Sequence, residues 1–186
     1  MGVDPQVSAS ASLPRAVFLD RDGVLTEVTV RDGHPYPPQS LTDLTIYPDV
    51  RDSLIRLKEA GFALVVVTNQ PDVARGTQTR DVVDAMHAHL LATLPLDECR
   101  VCYHDDADGC ACRKPRPGLL TAAPHHDLPR SVIVGDRWRD VDAGRNAGCR
   151  TVFIDRGYAE PSSAPDVRVG SLTEAVDWIL RGTPKP

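Results

Sequence analysis

Residues 16–23 read Ala-Val-Phe-Leu-Asp-Arg-Asp-Gly, an apolar run that ends abruptly in two acidic residues. A continuous hydrophobic run is typical of a parallel strand buried on both faces. Because positions i and i+2 of an extended chain point to the same side, we expect Asp20 and Asp22 to emerge together where the strand ends. Ligands of open α/β sheets bind at this edge. The stretch predicts a magnesium site in which one acid attacks and the other moves protons.

The composition limits the size of the protein and the class of its partners. A chain of 186 residues suits one domain, and 41% hydrophobic residues are ordinary for a globular protein. The formal net charge of −5 argues against nucleic acid as a partner, because that binding needs a basic surface. A small phosphorylated metabolite needs only a local positive site and stays possible as a ligand.

The sequence predicts neither a signal peptide over residues 1–14 nor a membrane span. Residues 1–14 are small and polar, without the charged start and apolar core of a signal peptide. No apolar run approaches the roughly 20 residues of a membrane span. We therefore expect a cytoplasmic monomer with no membrane partner, a disordered arm over residues 1–14, one domain over 15–182 and a tail over 183–186.

Strand-like and helix-like segments alternate along the chain. The predicted strands are 16–20, 62–68, 99–103, 131–135 and 151–154. The predicted helices are 49–60, 79–93, 117–126, 139–148 and 172–181. This alternation implies βαβ units around a parallel sheet. Residues 24–47 contain three prolines and predict a loop or short hairpin that covers the end of the first strand.

Two further segments carry candidate phosphate ligands. Thr68 ends an apolar run, and a hydroxyl there, followed by backbone N–H groups, is suited to hold a phosphate; the alternative is that it only caps a turn. Lys114 lies in a Cys-Arg-Lys-Pro stretch, where proline stiffens the backbone and would fix the direction of the lysine. The lysine could neutralise a phosphoryl group, whereas a solvated basic turn is the alternative.

A third acidic position follows another buried run. Residues 132–136 read Val-Ile-Val-Gly-Asp, so Asp136 could complete the metal site begun by Asp20 and Asp22. Asp140 and Asp142 follow at the start of a predicted helix. Acidic residues there stabilise the helix dipole, and we favour that role for Asp142.

Four of the five cysteines fall within fourteen residues, and the odd count argues against a disulfide scaffold. The pattern C-x-H-x5-C-x-C offers three thiolates and one imidazole, which make a closed structural zinc site. Its ligands would be Cys102, His104, Cys110 and Cys112. Unrelated buried cysteines are a poor alternative, because the intervening residues are polar. Cys99 and Cys149 are interpreted as core residues.

The motif order, strand-Asp-x-Asp, strand-Thr, Lys, strand-Gly-Asp, resembles the haloacid dehalogenase-like phosphohydrolases from about residue 15 to 155. The zinc loop over 102–112, leading into Arg-Lys-Pro, resembles the D-glycero-D-manno-heptose-1,7-bisphosphate 7-phosphatases. The related histidinol-phosphate phosphatases share this loop. The resemblance implies an α/β fold, a Rossmann-like three-layer sandwich with a central parallel sheet and no large cap domain.

The resemblance also implies roles for the motif residues. Asp20 would be the nucleophile that forms an aspartyl-phosphate, and Asp22 would protonate the leaving alkoxide and then activate water. Mg²⁺ would be held by the side chains of Asp20 and Asp136 and the backbone carbonyl of Asp22. Thr68 and Lys114 would bind the phosphoryl oxygens, and the zinc would be structural. The residues expected to contact the substrate are Asn69, Gln70, Arg113 and Arg137.

The implied substrate is heptose 1,7-bisphosphate, with histidinol phosphate or another sugar or polyol phosphate as the alternative. The chain departs from the family pattern at Thr26 and Pro71, both expected near the substrate mouth. Two rival interpretations are a phospho-acceptor domain resembling response-regulator receivers and an inactive interaction module. The motif order and the complete set of motif residues favour an enzyme.

Overall fold

The computed structural model describes residues 12–161 and 163–182. Its strands are β1 (Ala16–Leu19), β2 (Thr29–Arg31), β3 (His34–Tyr36), β4 (Ala63–Asn69), β5 (Glu98–Cys102), β6 (Val132–Gly135), β7 (Arg150–Ile154) and β8 (Val167–Val169). Its α-helices are α1 (Val50–Glu59), α2 (Arg80–Thr93), α3 (Gly118–Thr121), α4 (Trp138–Ala147) and α5 (Leu172–Arg181). Most of the predicted N-terminal arm and all of the predicted tail lie outside these residues.

Six of the strands form one parallel sheet in the order β5-β4-β1-β6-β7-β8. β1 lies inside the sheet, where Phe18 is in register with Val65 of β4 and with Ile133 of β6. All four residues of β1 are buried, as its continuous apolar sequence predicts. The carboxyl ends of the three neighbouring strands β4, β1 and β6 therefore meet at one edge.

Alternate residues of β1 belong to two separate cores, one on each face of the sheet. Val17 and Leu19 pack in a cluster with apolar residues of α1, α2 and α5. Ala16 and Phe18 pack in a second cluster with residues of α3 and α4, which also contains Cys149. The predicted α/β sandwich with a central parallel sheet is confirmed. Cys149 is a core residue, and Cys99 packs against the first cluster.

The segment between β1 and α1 contains a small antiparallel hairpin, β2–β3, and no cap domain is inserted there. Its turn residues Asp32 and Gly33 both have positive φ, +50° and +75°, as a two-residue hairpin turn requires. The Ala159 N–H donates to the Gly33 carbonyl at 2.9 Å, which ties the hairpin to the segment after β7. The predicted short hairpin over residues 24–47 is therefore present.

The predicted elements differ from the observed ones in two places: one helix is shorter than predicted, and one strand was not predicted. The helix predicted over 117–126 is only α3, because Ala122 is extended and Ala123 precedes a proline, which disfavours helical backbone. The short edge strand β8 escaped prediction, since its three residues are only partly buried. Among residues 12–161 and 163–182, no helix combines the length and apolar character needed to cross a membrane.

Gly144 allows α4 to pack closely on the sheet, and this generates a stability prediction. A Cβ at this position would overlap the side chain of Ile133 and lie 2.8 Å from Cγ2 of Thr151. Gly144→Ala should therefore lower the free energy of unfolding by about 1–3 kcal/mol, measured by urea denaturation. Arg145→Ala, at the exposed neighbouring position, is the control and should stay within about 0.5 kcal/mol of the wild type. Equal stability of the two variants would contradict the close packing.

Candidate active site

A cavity of about 350 Å³ opens at the carboxyl edge of β1, β4 and β6. Its floor and walls include polar residues from every motif that the sequence singles out. These are Asp20, Asp22, Thr68, Asn69, Gln70, Arg113, Lys114, Asp136 and Arg137. Residues of the β2–β3 hairpin, including Tyr36, line its mouth. The structure thus brings together in one site residues that are more than a hundred positions apart in the sequence.

Asp20 directly follows β1 and lies almost buried on the cavity floor. Its Oδ1 accepts a hydrogen bond from the backbone N–H of Arg21 at 2.8 Å and lies 3.0 Å from Nζ of Lys114. Burial, and then the nearby charge of Asp140, raise the pKa of Asp20 to about 6, although Lys114 opposes the shift. An additional cation nearby would therefore stabilise the ionised form of Asp20.

Lys114 is a buried ammonium whose three donors all have partners. Nζ donates to the Val67 carbonyl at 2.7 Å and lies 2.5 Å from Oδ1 of Asp140, in addition to its contact with Asp20. Burial alone would lower the pKa of Lys114, but Asp140 and Asp20 raise it, so the side chain stays charged. The alternative of a solvated basic turn is therefore excluded for this residue.

Asp136 and Asp140 complete a cluster of three buried acids with Asp20. Neither carboxylate oxygen of Asp136 makes a hydrogen bond of ordinary geometry to the described residues, although the hydroxyl of Tyr158 lies near and acts to lower the pKa of Asp136. Burial, and then the charges of Asp20 and Asp140, raise the pKa of Asp136 well above its ordinary value. The Asp136 carboxylate can lie against the turn after β1 only because residue 23 is glycine, since a Cβ at Gly23 would overlap the carboxylate. Unpartnered oxygens of this kind fit a hard cation such as Mg²⁺.

Sequence reasoning did not assign Asp140 to the acid cluster. Its Oδ2 accepts a hydrogen bond from the Arg137 backbone N–H at 3.1 Å. This contact stabilises the first turn of α4, which is the role that the sequence suggests for acidic residues at this position. Its other oxygen contacts Lys114. The close approach needs Gly135, because a Cβ at that position would overlap the Asp140 side chain. The sequence signal that could have identified Asp140 is its position, four residues after the Asp of a Gly-Asp pair that ends a strand.

Asp22 points into a different environment from Asp20. Its carboxylate forms a two-point ion pair with Arg21, at 2.9 Å from Nε to Oδ1 and 2.8 Å from NH2 to Oδ2. It also accepts hydrogen bonds from Oγ1 of Thr26 at 3.1 Å and Nε2 of Gln70 at 3.0 Å. Burial would raise the pKa of Asp22, but Arg21 and these donors lower it. The two acids of the Asp-x-Asp motif are thus distinguished by their partners.

Three polar residues near the motif support other side chains in this structure. Thr26 was expected near the substrate mouth; this is wrong, because Thr26 is fully buried behind Asp22. Gln70 bridges Asp22 and Thr68 through its amide nitrogen. Asn69 donates to the Lys114 carbonyl at 3.0 Å and accepts from its N–H at 3.1 Å, so it fixes the lysine backbone. Substrate contacts of Asn69 and Gln70 stay a prediction.

The four predicted zinc ligands lie together, with their ligand atoms all within 4.8 Å of one another. The three Sγ atoms are 3.2–3.7 Å apart, and Nδ1 of His104 lies 3.4 Å from Sγ of Cys112. A tetrahedral site with Zn–S bonds of about 2.3 Å would place its sulfurs roughly 3.8 Å apart. The donor set and spacing therefore fit Zn²⁺, and Lys114 follows two residues after the last ligand.

Four arginines line the cavity and are here called the arginine wall: Arg75, Arg113, Arg137 and Arg139. Each is held by an acid outside the three-acid cluster. Arg113 and Arg139 both donate to Oδ1 of Asp106, at 2.8 and 2.9 Å. Arg75 pairs with Asp105, and Arg137 pairs with Glu160. Sequence reasoning missed Arg75 and Arg139, since only the folded chain brings them to the predicted site.

Comparison with known proteins places this geometry in a family. The HAD-hydrolase-like family model matches residues 111–175. The chain is 35% identical to the D-glycero-D-manno-heptose-1,7-bisphosphate 7-phosphatase of Thermosynechococcus vestitus, over 90% of this chain and 96% of that protein. It is 33% identical to the D-glycero-beta-D-manno-heptose-1,7-bisphosphate 7-phosphatase of Escherichia coli K12, over 89% and 87%.

A solved structure is similar over nearly the whole chain. The D,D-heptose 1,7-bisphosphate phosphatase from B. bronchiseptica, complexed with magnesium and phosphate, superimposes with a TM-score of 0.70 at 27% identity. The match covers 91% of this chain and 99% of that one. The resemblance inferred from the motif order is confirmed, and the chain is a phosphoric monoester hydrolase. It belongs to the haloacid dehalogenase-like phosphatases, in the family of the D-glycero-D-manno-heptose-1,7-bisphosphate 7-phosphatases.

Proposed function

We propose that the protein is a magnesium-dependent phosphatase that converts D-glycero-D-manno-heptose 1,7-bisphosphate to heptose 1-phosphate. The observation that carries the proposal is one cavity that joins a buried acid cluster to a wall of four arginines. With Mg²⁺ bound to it, the acid cluster together with Lys114 suits the phosphate that is cleaved, and the arginine wall suits a second phosphate on the same molecule. The relatives named for this reaction support the same substrate.

In the first half-reaction, the Asp20 carboxylate attacks the phosphorus of the 7-phosphate. Its Oδ1 already accepts from Arg21 and contacts Lys114, so Oδ2 is the oxygen assigned to attack. The new bond joins Oδ2 to phosphorus, while the bond from phosphorus to the sugar oxygen breaks. Asp22 enters this step in its protonated form, which requires it to loosen the Arg21 ion pair that lowers its pKa. It gives its proton to that oxygen, and the sugar leaves as an alcohol. Lys114 and Thr68 bind the phosphoryl oxygens and stabilise their spreading charge.

In the second half-reaction, water attacks the phosphorus of the aspartyl-phosphate. Asp22, now a carboxylate, takes a proton from this water. The bond between Oδ2 of Asp20 and phosphorus breaks, so inorganic phosphate forms and Asp20 returns to its starting state. Two displacements through a covalent intermediate replace one difficult displacement. Arg113 and Arg137 contact the sugar or its second phosphate.

The acid cluster provides the proposed magnesium site. Asp20 and Asp136 would hold the ion with the backbone carbonyl of Asp22, and Asp140 lies close enough to join them. When bound, Mg²⁺ would offset the charge of Asp20 and of the incoming phosphate, which otherwise repel each other. The unpartnered oxygens of Asp136 support this assignment.

Zinc is proposed as a structural ion on Cys102, His104, Cys110 and Cys112. Four protein ligands leave no open position for chemistry. Its function would be to fix the loop that carries Arg113 and Lys114. The backbone contacts of Asn69 with Lys114 hold the same segment from the other side.

The first test is phosphate release from heptose 1,7-bisphosphate, followed by ³¹P NMR to identify the phosphate that is lost. The wild type should release the 7-phosphate, and Asp20→Asn should be slower by at least about 10³-fold because the amide is no nucleophile. Asp142→Asn, on α4 and outside the cavity lining, is the matched control and should keep near-normal activity.

Several outcomes would contradict this assignment. Substantial turnover by Asp20→Asn would remove Asp20 as the nucleophile. Stable self-phosphorylation without phosphate release from any ester would favour a phospho-acceptor domain, and complete inertness would favour an interaction module. Preferential release from histidinol phosphate or a monophosphate would reassign the substrate and leave the chemistry intact.

Magnesium binding should be visible in thermal stability as well as in activity. Asp20, with its pKa raised to about 6, destabilises the metal-free fold as the pH rises through that value, because it must ionise in a buried position beside Asp140. Saturating Mg²⁺ should therefore raise the melting temperature by roughly 5 °C at about pH 8, and by less at about pH 5, where protons compete. Asp136→Asn should lose most of this shift. An equal shift in the variant would contradict the proposed ligands.

Zinc content distinguishes ligand cysteines from core cysteines. Cys110→Ser should purify with less than about half of the wild-type zinc, measured by plasma mass spectrometry, and with lower activity even at saturating Mg²⁺. Cys99→Ser is the control, because Cys99 packs against the apolar core and is outside the Cys/His cluster, so its substitution should leave the zinc content unchanged. Full activity of a zinc-free protein with Mg²⁺ alone would show that zinc is not needed to hold the loop.

A further inference from the structure

Arg21 is a fully buried cation to which the reaction above assigns no task. Two of its three guanidinium nitrogens pair with Asp22. The third, NH1, lies 3.0 Å from Nε2 of His87, a buried residue on α2. His87 is therefore the partner of Arg21 that comes from outside the loop carrying both catalytic acids.

The hydrogen bond fixes the state of His87. Burial, and then the charge of Arg21, lower the pKa of His87 to about 4, so the imidazole is neutral near pH 7. Since the guanidinium can only donate, Nε2 accepts and the proton lies on Nδ1. This Nδ1 is buried and has no hydrogen-bond partner among the described residues. An apolar side chain would fill this space without an unpaired N–H, so packing alone does not explain a histidine here.

The partners of Asp22 show what His87 can do. Four donors, two from Arg21 and one each from Thr26 and Gln70, occupy the carboxylate. To carry a proton to the leaving oxygen, Asp22 must give up at least one of them. If that donor belongs to Arg21, the buried guanidinium loses part of its counter-charge, which is strongly unfavourable for a guanidinium without other acceptors. His87 keeps an acceptor on Arg21 whichever way Asp22 points.

We propose that His87 is a positioning residue which, by holding Arg21, sets the orientation of Asp22 for proton transfer to the leaving sugar oxygen. This inference rests on the proposed function, in which Asp22 is the acid. His87 does not touch the substrate and contributes no proton. Without it, Arg21 would follow Asp22 or move into the freed space, and the carboxyl group would be misplaced.

The test uses the dependence of the rate on the leaving group. An alkyl leaving group such as a sugar oxygen needs a proton, whereas p-nitrophenolate leaves without one. The ratio of kcat/KM for heptose 1,7-bisphosphate to kcat/KM for p-nitrophenyl phosphate therefore reports acid catalysis in the first half-reaction. Both values come from one protein sample, so partial loss of folded enzyme cancels in the ratio.

We expect His87→Ala to lower this ratio by about 10-fold or more, since misplacing a catalytic group by about 1 Å can cost 10²-fold. His87→Gln, whose amide oxygen can accept from Arg21, should return the ratio to within about 3-fold of the wild type. His126→Ala is the matched control, because His126 is also buried and packs edge-on against Phe18 instead. Its ratio should not change.

Asp22→Asn separates failure of the inference from failure of the proposed function. If Asp22→Asn lowers the ratio but His87→Ala slows both substrates equally, His87 has only a structural role and the inference is overturned. The same conclusion follows if His126→Ala lowers the ratio as much. If Asp22→Asn itself leaves the ratio unchanged, Asp22 is not the acid, and the proposed function fails at that step together with the inference.

Discussion

Charge balance around Lys114 is the constraint on which the rest of the site depends. Asp20, Asp136 and Asp140 are buried close together, and the lysine ammonium contacts only two of them. Three negative charges against one positive charge are unfavourable at this depth unless protons or a cation are added. The raised pKa values of Asp20 and Asp136 express this shortage of positive charge. This shortage of positive charge is the physical basis of the proposed magnesium site.

The fold meets this constraint by fixing Lys114 from two directions. Asn69, at the end of β4, exchanges two hydrogen bonds with the lysine backbone. On the other side, the Cys/His cluster ends two residues before the lysine. The parallel sheet itself brings the ends of β1, β4 and β6 together, because β1 pairs with both of its neighbours. A short loop and a strand end therefore place a single atom, Nζ, among the acids.

The sequence predicts those residues of the site that are marked by a local pattern. Asp20, Thr68 and Asp136 each end a buried apolar strand, so the parallel sheet places them at one edge. Asp140 was not assigned to the cluster, because its approach depends on the missing side chain at Gly135, which becomes relevant only once the chain is packed. Arg75 and Arg139 are held at the cavity by acids of the loop over residues 102–112, and these long-range contacts have no local signal in the sequence. Thr26 was misplaced because the turn after β1 folds it inward.

Asp106 has a further consequence for how a ligand would enter and leave. Its carboxylate occupies donors of Arg113 and Arg139 that an anionic group in the cavity would need. It therefore acts as an internal surrogate anion: it keeps the two guanidinium groups in place and relieves their mutual repulsion when no ligand is bound. In the proposed function, an incoming second phosphate would displace Asp106 or share the arginines with it, so part of the binding energy would be lost to that exchange. The same competition would weaken retention of the sugar product and so favour turnover.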